Sequence, residues 1–241
     1  MIFSARSLLI PLMLVFAGCT YLKPAKTPLE TTWLAKQQTN QKLLLLLPGM
    51  GDDLHSFQDN NIAQLVNSSC PDVDILYADA YFAYYRNRSL LKRLQQDVLP
   101  QIEGYDSVYE LGVSMGGLGV LLSAREYHGQ VDGLILVAPY LGDEETLSEI
   151  ASDGGIAKWE MSDPDNDFAL LWQWIQSRRT SPLFTSNTHL LTGNQDARYE
   201  SHQIVRSMIP ENNFVTVDGG HKWRVWNKAL SMLFSNESCP I

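Results

Sequence analysis

The chain has 241 residues, enough for one good-sized domain and too few for two comfortable ones. Hydrophobic residues make up 45% and charged residues 19%, so a substantial core can be buried. The net charge is −9 and no long basic stripe is present, which argues against a nucleic-acid partner.

The first predicted element does not belong to the fold. The stretch "MIFSARSLLIPLMLVFAGC" places Arg6 ahead of an apolar run from Leu8 to Ala17, followed by small residues before Cys19. That is the charged, apolar, small-residue order of a secretory signal. The run is shorter than the roughly 20 apolar residues of an ordinary membrane span. Its ending, "FAGC", resembles the lipobox of bacterial lipoproteins, although Phe16 stands where Leu is more usual. The resemblance covers residues 1–19. It implies that residues 1–18 are removed and that Cys19 is lipidated and holds the protein on a membrane. Thr20, rather than Asp, implies the outer membrane.

Residues 19–41 hold two prolines and no strong periodicity, and read as a tether ending in a turn or short helix. The pattern then becomes regular. "KLLLLLPG" (42–49), "VDILYAD" (73–79), "SVYELGV" (107–113), "VDGLILVAP" (131–139), "THLLTG" (188–193) and "NNFVTVDGG" (212–220) are short apolar runs ended by Gly, Pro or Asp. Runs of this kind suit buried parallel strands. Helical patterns lie between them, at 56–67, 89–102, 116–127, 200–209 and 222–234. The alternation predicts an α/β domain over 42–241, with about six mostly parallel strands and helices on both faces. Residues 141–182 interrupt the rhythm and are expected to form a lid. No CxxC and no Cys/His cluster has metal-ligand spacing, so neither a metal nor a cofactor is expected.

Within "YELGVSMGGLGVLL" (109–122), four glycines surround one hydroxyl, that of Ser114. A serine on a sharp strand-to-helix turn needs small neighbours, and its exposed hydroxyl then sits near the positive end of a helix. "GVSMG" resembles the nucleophile elbow of the α/β-hydrolase superfamily. That superfamily orders its triad as Ser, acid, His. His221, in "VDGGHKW" after the last strand, stands where the resemblance implies the catalytic histidine. Asp196, in "LLTGNQDAR", matches the acid loop, with Asp143 after "VAPYLG" as the rival. The resemblance implies two oxyanion donors, the backbone N–H of Met115 and one in "PGMGDD", assigned to Met50 with Gly49 or Gly51 as alternatives. Pro48-Gly49 departs from the His-Gly often found there.

The resemblance covers about 42–234 and implies a serine hydrolase. The most direct reaction is hydrolysis of a carboxylic ester on a small-molecule or lipid-like acyl substrate. Thioesterase, amidase and envelope acyltransferase chemistry use the same triad, and a catalytically silent binding lipoprotein is the rival of another class. In this fold the first and last helices share a face, so Cys70 and Cys239 are expected to form a disulfide. In the insertion, "SDPDNDFALLWQWIQSRR" (162–179) predicts a helix capped by Ser162 or Asp163. Its apolar stripe, with Trp172 and Trp174, is expected to wall an acyl pocket over Ser114.

Overall fold

A computed structural model describes residues 23–37, 39–235 and 239–241. The expected signal segment, residues 1–18, and Cys19 lie outside the described residues. Seven strands form one sheet: β1 (Thr31–Ala35), β2 (Lys42–Leu47), β3 (Val73–Ala78), β4 (Ser107–Val113), β5 (Gly133–Val137), β6 (Thr188–Gly193) and β7 (Phe214–Val217). Their spatial order is β1-β3-β2-β4-β5-β6-β7. Among the described residues only the β1–β3 pairing is antiparallel.

Among the described residues the helices are α1 (Leu54–Asp59), α2 (Ile62–Ser69), α3 (Phe82–Arg86), α4 (Leu90–Arg93), α5 (Leu99–Ile102), α6 (Met115–Glu126), α7 (Glu144–Ser152), α8 (Asp167–Arg178), α9 (Pro182–Thr185), α10 (Tyr199–Arg206) and α11 (Trp223–Leu233). A π-helical segment, Leu94–Val98, joins α4 to α5. Pro100 lies just beyond it and has no N–H to offer the carbonyl of Gln96, so the regular ladder cannot run through.

Why β2 is apolar throughout is plain from its two faces. Successive side chains of a strand point to opposite sides. Leu43, Leu45 and Leu47 enter a core with Val120 and Leu121 of α6 and Ile175 of α8. Leu44 and Leu46 enter the other, with Phe57, Ile62 and Val66 of α1 and α2 and Leu230 of α11. A strand with helices on both sides has no solvent face, so it carries no polar alternation.

Residues 19–41 hold more than a tether. Within them, β1 pairs with β3 at the sheet's edge. Leu29 is buried, and its N–H donates to Asp97 at 2.7 Å. The Tyr81 hydroxyl donates to the Pro24 carbonyl at 2.6 Å. "TTWLA" lacks an apolar run because an edge strand needs only one well-packed side. The sheet therefore has seven strands rather than six.

Cys70, at the end of α2, is bonded to Cys239 with a Cα separation of 5.1 Å. The bridge ties α2 to the chain beyond α11 across 169 positions. Closing so long a loop restricts the unfolded chain by about 4–5 kcal/mol on the chain-entropy account.

Candidate active site

The carboxyl ends of β2, β4 and β5 lie side by side, with Leu47 opposite Gly112 and Val113 opposite Val137. Ser114 follows immediately, at φ 52° and ψ −111°. A serine rarely occupies this positive-φ region, so the turn must be held from outside. Its N–H donates to the Val137 carbonyl at 2.8 Å, and its carbonyl accepts from Tyr140 at 2.8 Å and Gly117 at 3.0 Å. Both sides of the elbow are thus clamped, partly by the chain leaving β5.

The glycines make the clamp sterically feasible. A side chain on Gly116 would collide with the Leu47 backbone, and one on Gly112 with the Gly116 backbone. A Cβ on Gly117 would stand 2.6 Å from that of Pro139. So α6 starts hard against the sheet because nothing larger than hydrogen fits there.

Two further loops deliver the histidine and the acid. Asn194 and Gln195, after β6, donate backbone N–H groups to the carbonyls of Val217 and Gly219, both at 2.9 Å. The Asn194 side chain accepts from the Gly219 N–H at 3.2 Å. These bonds stitch the loop after β6 to the loop after β7. Asp196 and His221 consequently face each other, with His221 Nδ1 at 2.7 Å from Asp196 Oδ2. His221 Nε2 lies 2.9 Å from Ser114 Oγ. The imidazole ring stands edge-on to Trp226, with centroids 4.7 Å apart. The His221 side chain is 27% exposed and that of Asp196 0%.

Burial alone would raise the Asp196 pKa. The hydrogen bond from His221, the Arg198 N–H at 2.9 Å and the electrostatic influence of the two neighbouring imidazoles outweigh it. The carboxyl is held below the ordinary range and stays ionised, as an acceptor for an imidazole N–H must. Asp143 is placed otherwise. It caps α7 by accepting from the Thr146 N–H at 2.8 Å, and it also accepts from the Thr146 hydroxyl and the Asn166 amide. The structure therefore puts Asp196, not its rival, beside the histidine.

Met115 is the first residue of α6, so its N–H has no intrahelical acceptor and points out of the helix start beside Ser114. The 48–53 loop approaches from the other side. A Cβ on Gly49 would stand 3.4 Å from that of Ser114. Met50, the next residue, is 45% exposed. Asp52 accepts from Trp223 Nε1 at 2.7 Å, which pins this loop to the start of α11, two residues past His221. Neither Asp52 nor Trp223 was assigned this role from sequence. The pairing joins loops 171 positions apart, and nothing local signals it.

His202 was assigned no role either. It is fully buried on α10, with Nδ1 2.9 Å from the Thr192 hydroxyl and Nε2 3.0 Å from the Pro139 carbonyl. It ties β6 to the segment that clamps the elbow.

The insertion corrects two expectations. Asn166 caps α8, accepting from the N–H groups of Phe168 and Ala169, whereas Ser162 and Asp163 precede the helix. Trp172 is fully buried in the core and donates to the Leu141 carbonyl at 3.0 Å, so it cannot wall a pocket. Trp174 packs edge-on against Phe184. The apolar stripe is turned inward instead, with Leu171, Trp172 and Ile175 buried in the core and Trp174 partly buried beside it. Phe168 is the residue of α8 that reaches towards the elbow, edge-on to Tyr140 with centroids 6.0 Å apart.

No protein-family model and no curated protein sequence matches the chain. Solved structures do match. An S-formylglutathione hydrolase (FrmB) from Staphylococcus aureus is similar over 88% of this chain and 98% of its own, at 13% identity and TM-score 0.56. A ferulic acid esterase is similar over 88% and 97%, at 16% identity and TM-score 0.54. Est1E from Butyrivibrio proteoclasticus is similar over 85% and 89%, at 19% identity and TM-score 0.54. Taken with the parallel sheet and its helices on both faces, these likenesses establish that the chain has the α/β-hydrolase fold.

Proposed function

We propose that the protein is a serine hydrolase that cleaves a carboxylic ester through an acyl-enzyme on Ser114. One observation carries the reading: an unbroken chain of short contacts from Ser114 Oγ through His221 to the buried carboxylate of Asp196. His221 accepts the serine proton on Nε2 while its Nδ1–H donates to Asp196. The freed oxygen attacks the acyl carbonyl. The N–H groups of Met115 and Met50 receive the developing oxyanion. The imidazolium then protonates the departing alcohol, and water, deprotonated by the same ring, releases the acid.

Support for an ester comes from the printed names of the similar structures, which include a ferulic acid esterase and Est1E with ferulic acid bound. The test is a single-turnover experiment with an activated neutral ester, followed by intact-protein mass spectrometry. The expected result is a transient acyl adduct that maps to Ser114 and is absent from Ser114→Ala. Turnover without an adduct, or an adduct elsewhere, would contradict the reading.

The protein is further proposed to be lipid-anchored at Cys19 in the outer membrane. Lys23 already contacts Asp79 on the domain, so the anchor would hold the catalytic unit close to the bilayer surface. Cys19→Ser is expected to release it from the membrane fraction; wild-type protein with an unmodified cysteine would refute the anchor.

A further inference from the structure

Two grooves flank Tyr140, the residue whose N–H holds the Ser114 carbonyl. Their charges are opposite. One, between α7 and α10, is lined by Asp143, Glu144 and Glu200 with a single arginine, Arg198. The other has a volume of about 520 Å³ and is lined by three arginines, Arg86, Arg88 and Arg125, with a single acid, Asp167. A surplus of arginine is unexpected on a chain whose net charge is −9.

The second groove is also directional. Met115, Leu118 and Leu122 form its floor, at the helical spacing that puts them on one face of α6. Tyr85, Tyr140 and Phe168 also line it. Phe168 is fixed there by its edge-on contact with Tyr140 and by the close approach of Gly142. Arg125 continues the same helical face at the far end, roughly 15 Å from Met115 at 1.5 Å rise per residue. Arg88 also lines the groove, paired with Asp167 at 2.7 Å. Both partners of that pair are largely exposed, so it can rearrange around an incoming anion.

We infer that this groove receives one arm of the substrate, and that the arm is apolar with an anionic end. The inference rests on the hydrolase reading above and narrows its substrate class to esters carrying a carboxylate or comparable anion at the end of an apolar arm. The apolar floor would take the arm's body and the arginines its end, while the acidic groove across Tyr140 would repel the same group.

The test compares nitrophenyl monoesters of dicarboxylic acids with neutral nitrophenyl alkanoates of matched length. A parallel series places the carboxylate on the alcohol, which identifies the arm that lies in the groove. At the best length kcat/KM for the anionic ester is expected to exceed that for its neutral partner by about fivefold, the scale of two partly exposed ion pairs. Added salt should reduce the ratio. Arg88→Gln with Arg125→Gln should bring it close to one, and lysine at both positions should restore it. Thermal melting verifies that each variant is folded. A ratio at or below one at every length in both series overturns the inference, as does a preference that survives the double glutamine variant. If Ser114 forms an acyl adduct from the neutral ester in either case, the hydrolase reading stands and only the anionic arm is lost. If no ester yields an adduct, both fall.

Discussion

Two imidazoles sit in one corner of the molecule with nearly equivalent hydrogen bonding. His221 and His202 are each held at both ring nitrogens, at distances between 2.7 and 3.0 Å. What differs is the partners. His221 has a carboxylate on one side, a strained serine on the other and a face open to solvent. His202 has a threonine hydroxyl and a main-chain carbonyl, and no exposed surface. A carboxylate can stabilise an imidazolium; full burial keeps the other ring neutral, against the pull of its carbonyl partner. The comparison teaches that two good hydrogen bonds do not make a base. The charge of the partner and access to the reacting atom do.

The largest effect should come from breaking the first imidazole's chain. His221→Ala or Ser114→Ala is expected to lower kcat by about 10⁴- to 10⁶-fold, with the double variant hardly worse than either, because the members act as one unit. Steady-state kinetics on an activated ester measures this. Additive losses would mean that the two residues work separately.

Next in size is the acid. Asp196→Asn is expected to cost about 10⁴-fold in kcat, since an amide favours the wrong imidazole tautomer. Asp143→Asn should leave kcat near the wild-type value, because that residue caps α7. Its stability loss should be at most about 1 kcal/mol, asparagine being itself a good cap. The reverse pattern would transfer the acid role to Asp143.

The second imidazole should show itself in stability rather than rate. Burial, first of all, lowers the His202 pKa from 6.5 to about 4, against the raising effects of the Pro139 carbonyl and Asp196. His221 and Arg198 lower it further. The unfolded chain then binds a proton that the folded one refuses. Stability from this group is complete above pH 6.5, is lost as pH falls towards 4, and changes no further below that, by about 3 kcal/mol in all. His202→Leu removes the titration but leaves the Pro139 carbonyl without its imidazole partner and Thr192 with only a long contact to the Gly193 carbonyl, a loss of about 2–4 kcal/mol at neutral pH. Denaturant melts across this range should show the gap between wild type and variant closing on acidification. A gap that stays constant would mean that His202 is not held neutral.

The elbow was legible in sequence because its glycines are grouped around one serine. The collision at Gly112 is with Gly116 itself, inside the motif, whereas those at Gly116 and Gly117 are with Leu47 and Pro139, so the motif was visible but its partners were not. The strand pattern was legible where strands are buried on both faces, as β2 is, and missed β1, whose alternation is blurred at the sheet's edge. Asp196 and His221 could be placed by chain order once the strands were counted. Asp52 with Trp223, and His202 with Pro139, could not, since each pair is brought together only by the folded loops. The α8 stripe shows the same limit. Its apolar face was visible, but whether Trp172 meets the sheet or a pocket depends on how the insertion folds back.

The central claim is that the contact chain from Asp196 through His221 makes Ser114 a nucleophile. It is tested most directly by the rate of covalent labelling of Ser114 by a fluorophosphonate, compared across wild type, His221→Ala, Asp196→Asn and His202→Leu. The account predicts rapid labelling at Ser114 in the wild type and the folded His202 variant, with labelling reduced by orders of magnitude when His221 or Asp196 is changed. Equal labelling in all four, or none in the wild type, would contradict it.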